Sequence, residues 1–449
     1  MTPTRRSLLL SSIALAAVPL AARAQQQAAS ASAAAPTPVP NLPTIDAGIP
    51  VNYDEAKVGS YILPDLLTAA DGTKITTAKA WTAKRRPEIV SLFETQQYGK
   101  MPGKPADLAF EVYEMDAPAF GGKAKRKQVR ITFAKDKGPT LNLAIYTPAA
   151  ATQPVPTLLA INFSSNAATV SDPGVTPGTI WNGKTHKREP YQSGGRSFGH
   201  IDPTPLLDAG FGFAAFCYGD VDPDDGLGLP DGIRALYLKP GQTTVAPDEW
   251  GTISAWAWGI SRCIDYFETD HSIDAKRVAI HGVSRLGKTV MWAGAHDTRV
   301  AATIASCSGE GGAALSRRNY GETIAHLTTP TRFPYQFAGN YSRYDGFPDT
   351  APMDAHMLLA LHAPRPLLLQ TGNTDYWSDP KGEFLSEVAA GPVYRLFGKK
   401  DLGTDVWPEA KQPIWGDLSY YMHDGGHGTV PSDWDIYLTF LKQHLMQSA

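Results

Sequence analysis

Residues 281–290 read HGVSRLGKTV and follow directly on the apolar run Val278-Ala279-Ile280. A short uninterrupted apolar run of this kind predicts a buried strand, and RLGKTVMWAGAHD behind it predicts a helix. Gly282 and Gly287 flank Ser284. Glycines on both sides let the chain turn sharply from strand to helix and lift the serine hydroxyl above the sheet edge. The amides that open the helix carry partial positive charge and aim at the same place, where acyl transfer needs donors for an oxyanion. The spacing is GxSxxG, whereas the usual nucleophile elbow is GxSxG. On these residues alone, a serine that merely caps the helix fits as well.

The same strand-to-loop pattern recurs along the chain. PTLLAINFSSN, GFGFAAFCYGDVDPDD and RPLLLQTGNTDYW each pass from apolar residues into small polar ones. GTISAWAWGISRCIDYFETD carries Ile253, Trp256, Ile260, Cys263 and Phe267 at helical spacing, and WDIYLTFLKQHL predicts a terminal helix. Ahead of these, residues 108–147 hold three extended runs, LAFEVYEM, KQVRITFA and TLNLAIYTP, separated by turn-formers. An antiparallel start followed by alternating strands and helices predicts an α/β fold of α/β-hydrolase type. Its sheet is mostly parallel, with helices on both faces in three layers.

The chain has 449 residues, and its formal net charge of -3 is spread along its length. There is no basic stripe for nucleic acid and no acidic tail, which leaves a small-molecule or carbohydrate partner as the expectation. The start TPTRRSLLLSSIALAAVPLAARAQ pairs Arg5 and Arg6 with a short apolar stretch and a small-residue exit at Ala22-Arg23-Ala24. That is the form of a secretory signal over residues 1–24, with a twin-arginine character that implies bacterial export. The apolar part is too short, and too interrupted by Pro19, for a membrane span. Residues 25–45, rich in Gln, Ala, Ser and Pro, read as a flexible tether, and 46–449 as a single catalytic domain. Three cysteines, Cys217, Cys263 and Cys307, cannot all pair with one another, and no Cys/His spacing indicates zinc. Nothing points to an oligomer, so a monomer is expected.

A serine nucleophile requires a base, and the base requires an acid to hold its tautomer. HDGGHGTVPSDWDIYLTFL places His427 in a glycine-flanked loop just before the last helix, where the chain order Ser, acid, His puts the base of this fold. His423 competes, but it follows YYM and reads as a strand end. In TGNTDYWSDP both Asp375 and Asp379 are available as the acid, and Asp375 lies closer to the strand end. Glu310, in SCSGEGG, is a further candidate. Asp354, His356 and His281 are expected to be structural, and the aromatics of AWAWG to pack a helix on the sheet. The polar, aromatic loop 179–200 is expected either as a surface excursion or as a substrate rim.

Four segments together resemble the glucuronoyl esterases, carbohydrate esterase family fifteen: GVSRLGK, CSGEGGAALSRR, PMDAHMLLALHAPRPLLL and GGHG. The resemblance covers roughly residues 135–445. It implies Ser284 as nucleophile, His427 as base, and Arg285 as an oxyanion-stabilising residue. It further implies that Lys288, Glu322 and Trp377 bind the sugar, with no metal or organic cofactor. The implied substrate is an ester of (4-O-methyl-)glucuronic acid, as in lignin-carbohydrate linkages of glucuronoxylan. One position departs from the family. Many members have a glutamate immediately before the Ser-Gly of the second segment, and this chain has Cys307. A thiol cannot replace a carboxylate in a charge-assisted bond to an imidazolium, so the departure favours Asp375, the position used in some bacterial members. Two alternatives remain: an acetyl or feruloyl esterase acting on hemicellulose, or a carbohydrate-binding protein on a hydrolase scaffold that has lost its acid.

Overall fold

Nine strands form one sheet among the residues that the computed structural model describes, which are 42–135, 137–192 and 199–446. In chain order they are β1 (Ala109–Ala119), β2 (Ala124–Thr132), β3 (Thr140–Pro148), β4 (Val155–Asn162), β5 (Gly212–Cys217), β6 (Ile273–Val283), β7 (Ala302–Ser306), β8 (Leu367–Gly372) and β9 (Leu418–His423). Across the sheet the order is β9-β8-β7-β6-β4-β5-β3-β2-β1. The strands from β9 to β5 run parallel, and β3, β2 and β1 continue antiparallel. This is the antiparallel start and parallel continuation that the sequence pattern predicts.

The central strands are apolar without alternation because both their faces are covered. Leu159 and Ile161 of β4, Val278 and Ile280 of β6, and Leu367 and Leu369 of β8 join the larger core. Their neighbours Leu158, Ala160, Ala279 and Leu368 join the other. Successive side chains of a strand point to opposite faces, so the two cores lie on either side of the sheet. The larger one takes residues of α1 (Arg86–Gln96), α2 (Thr252–Phe267), α3 (Arg285–His296) and α4 (Pro380–Leu396). The smaller takes Tyr437, Phe440 and Leu441 of α5 (Asp433–Leu445). Trp256 and Trp258 of α2 are buried, their indole N–H groups donating to the Asp222 and Gly103 carbonyls. They serve packing, as expected.

The signal sequence expected over 1–24, and the tether up to residue 41, lie outside the described residues. Beyond that point Ile45–Asp46 already pairs with Ile49–Pro50. No helix among the described residues is long and apolar enough to cross a membrane. The loop expected over 179–200 contains a hairpin, Thr179–Asn182 with Lys187–Pro190, held by Trp181 and His186 on the Asp225 carboxylate.

Candidate active site

Ser284 occupies the turn between β6 and α3 with φ 59° and ψ -128°, a left-handed conformation that costs a residue with a Cβ roughly 1–3 kcal/mol. Its N–H donates to the Ser306 carbonyl at 2.8 Å, tying the turn to β7. The flanking glycines are required by contact. A Cβ on Gly282 would meet the Leu286 carbonyl oxygen at 2.3 Å, and one on Gly287 would meet that of Ser306 at 2.8 Å. The second clash accounts for a glycine three residues beyond the serine, where α3 crosses β7. The Ser284 side chain makes no hydrogen bond to the helix, so the capping role that the spacing also allowed is not the one adopted.

The other groups arrive on loops at the carboxyl ends of neighbouring parallel strands, where open α/β sheets form their clefts. Asp375 follows β8 and His427 follows β9, and Asp375 Oδ2 lies 2.7 Å from His427 Nδ1. The Asp375 carboxylate is buried while the imidazole is about a third exposed, at 35 %. The Ser378 hydroxyl also reaches Nδ1, at 3.2 Å. A cavity of about 200 Å³ brings together all seven residues singled out from the sequence: Ser284, Arg285, Lys288, Glu322, Asp375, Trp377 and His427. His427 also borders a second cavity of about 240 Å³, lined by His281, Val283 and Trp434 among others.

The cations in the cavity are fixed by acids. The Arg285 guanidinium donates to Asp224 Oδ2 at 2.5 Å and lies over the Phe333 ring at 4.5 Å. Asp224 in turn accepts from Tyr335, Gln336 and Tyr218. Lys288 Nζ stands 3.6 Å from Glu322, and Arg332 stands 3.5 Å from the other oxygen of the same carboxylate. Arg332 also covers the Trp377 ring at 5.2 Å. The result is a cleft lined by two aromatic rings, Phe333 and Trp377, with several charged groups held in place before any ligand arrives.

The competing acids and histidine are engaged elsewhere. Asp379 pairs with Arg318 at 2.8 Å and caps α4 through the Gly382 N–H. Glu310 accepts from Ser316 at 2.6 Å and Tyr341 at 2.8 Å, and burial pushes its pKa up to about 8. His423 ends β9 and pairs with the buried Asp433 at 3.0 Å. Among the residues expected to be structural, Asp354 caps the helix Ala355–Ala360 and pairs with Arg317, while His356 meets the Pro64 carbonyl. His281 lies buried beside Ser306, and burial lowers its pKa to about 4. Cys307, at φ 46°, receives the Gly428 N–H on its sulfur at 3.4 Å. Burial, with Asp375 and Glu383 nearby, pushes its thiol well above the ordinary range.

Glu383 is buried against the segment that follows Cys307. It accepts the Gly309 N–H at 2.5 Å and the Ser308 hydroxyl at 3.2 Å, and burial raises its pKa to about 8. The folded protein therefore keeps a proton that the unfolded chain releases near the ordinary carboxylate pKa. Stability from this group falls as pH rises from that value to about 8. Glu383→Gln removes the titration, so its melting temperature is expected to fall less between about pH 5 and pH 8 than that of the wild type. Parallel curves in calorimetric melts across that range would contradict this.

Asp224, Arg332, Phe333, Gln336 and Ser378 were not anticipated as site residues. For Asp224 a signal existed, since GDVDPDD places several acids directly after β5. For the others, in TRFPYQ and YWSDP, no local pattern marks the position.

The sequence pattern of the family described as glucuronyl esterase, fungi, matches residues 245–398. Carbohydrate esterase MZ0003, from an unknown prokaryotic organism, is 43% identical over 406 residues, covering 89% of this chain and 93% of its own length. A glucuronoyl esterase from Solibacter usitatus is 44% identical with a TM-score of 0.82, over 87% of this chain and 99% of that one. A solved esterase of the same carbohydrate esterase family from a marine bacterial metagenome, described as promiscuous, is 42% identical with a TM-score of 0.79, over 88% of this chain and 100% of its own. On its sequence and its α/β-hydrolase fold alike, this chain belongs to the glucuronoyl esterases of carbohydrate esterase family 15.

Proposed function

We propose that this enzyme hydrolyses esters of glucuronic acid through an acyl-enzyme on Ser284, with His427 as base and Asp375 as the acid that orients it. The observation that carries the proposal is the 2.7 Å contact between Asp375 and His427 Nδ1, at a cavity that Ser284 shares. The Ser284 hydroxyl oxygen attacks the ester carbonyl while the free nitrogen of His427 takes its proton. Asp375 stabilises the imidazolium that results. The oxyanion forms beside the amide of Arg285 and the start of α3. One preorganised donor of this kind is typically worth roughly 3–4 kcal/mol. The bond to the alcohol then breaks, with His427 returning the proton to the departing oxygen. Water repeats the cycle and releases the uronate.

Esterification removes the charge of the uronate, so the positive groups act on charge that appears during reaction, which is the differential binding that lowers a barrier. Lys288, Glu322 and Trp377 hold the sugar. Lys288→Ala is expected to raise KM by roughly 10- to 100-fold, in line with the loss of a hydrogen bond to a charged group, with a smaller change in kcat. Steady-state kinetics on methyl glucuronate measure this. A fall in kcat at constant KM would contradict the assignment.

The natural substrate we assign is glucuronoxylan esterified to a lignin alcohol, met outside the cytoplasm by a monomer. The metagenomic relative described as promiscuous keeps the acetyl or feruloyl alternative in view. Comparing kcat/KM on methyl glucuronate and p-nitrophenyl acetate separates them, because only the first engages Lys288 and Trp377. Equal values for both, unchanged in Lys288→Ala, would favour a general esterase. The binding-protein alternative arose from a missing acid; the Asp375–His427 contact and the esterase relatives both support catalysis over it.

A further inference from the structure

We propose that Cys307, Asp375 and His427 form a binding site for a thiophilic divalent cation such as Zn²⁺, and that its occupancy arrests the esterase. The inhibitory half rests on the assignment of His427 as the base. One ligand atom from each of the three residues lies within 4.8 Å of the other two. Thiolate, imidazole and carboxylate are the donors zinc takes, at about 2.3, 2.0 and 2.1 Å. Tetrahedral geometry at those lengths separates ligand atoms by about 3.3–3.6 Å. Forming the site would draw the sulfur in from a separation of at most 4.8 Å and open the Asp375–His427 pair from its 2.7 Å contact.

All three residues line the cavity that holds Ser284, so the fourth position faces water or substrate. The sequence concealed the cluster because its members follow three different strands, at positions 307, 375 and 427.

The proton balance accounts for the arrest. Cys307 enters as a thiol, and cation binding expels its proton to solvent. Thiolate and carboxylate then balance the two positive charges. His427 binds through Nδ1, the atom already facing Asp375, and its proton moves to the other ring nitrogen. That nitrogen becomes a donor and no longer accepts the proton of Ser284.

The test titrates ZnCl₂ into the metal-free full-length wild type and Cys307→Ser, following methyl glucuronate hydrolysis. Cd²⁺ is used in parallel, because its thiolate complexes absorb in the ultraviolet and report binding without turnover. Wild-type turnover is expected to fall at least about 10-fold at Zn²⁺ concentrations that leave the variant active, with recovery on adding a chelator. A cadmium–thiolate band at one equivalent is expected in the wild type alone. Absence of the band, or equal bands and equal inhibition in both proteins, overturns the site. A Cys307-dependent band with undiminished turnover leaves the site standing and instead rejects His427 as the base.

Discussion

Turnover of a glucuronate ester by Asp375→Asn is expected to fall by about 10⁴-fold, with the fold and substrate affinity preserved. Asparagine has nearly the same shape, but it carries no charge to stabilise an imidazolium and no longer fixes which ring nitrogen bears the proton. The neighbouring groups offer no substitute. The Cys307 thiol is held protonated by burial, and Glu310 is committed to Ser316 and Tyr341. Glu383 is buried with a pKa of about 8 and is bonded to Gly309. Steady-state kinetics on benzyl glucuronate decide the matter. Full activity in Asp375→Asn would move the acid elsewhere. By the same logic Cys307→Glu alone brings no gain, since Asp375 already occupies His427 Nδ1.

Ser284→Ala is expected to lose more, roughly 10⁶-fold in kcat, because no acyl-enzyme can form. Alanine retains a Cβ at φ 59°, so the strain of the turn persists and no large stability gain accompanies the change. Binding of methyl glucuronate, read by calorimetry, is expected to stay close to wild type, since Lys288, Glu322 and Trp377 are untouched. Wild-type turnover in this variant would exclude the mechanism. Lost binding together with lost turnover would show that the turn itself had collapsed.

Periodicity made the sheet legible. The unbroken apolar runs at β4, β6 and β8 are the direct consequence of burial on both faces, and the loops after β6, β8 and β9 hold the chemistry. The serine turn was less legible. Its glycine at 287 is required by the approach of that residue to the Ser306 carbonyl, a contact between segments distant in sequence. Asp375 is favoured over Asp379 by distance from a strand end and over the glutamate position of the family by Cys307 there, and the structure adds why Asp379 and Glu310 are occupied. The acids after β5 mark the place of Asp224 without showing which of them meets Arg285, 61 residues on, and Arg332 carries no mark because its partner Glu322 lies in another segment. The hairpin within 179–190 leaves no strand pattern in the sequence because its strands are four residues long and join neither core.

The most direct measurement is the site and rate of labelling by a fluorophosphonate, which reacts with a serine only where a base activates it. A single adduct on Ser284 is expected, formed far more slowly in Asp375→Asn and absent in His427→Ala. An adduct on another residue, or labelling of Asp375→Asn at the wild-type rate, would contradict it.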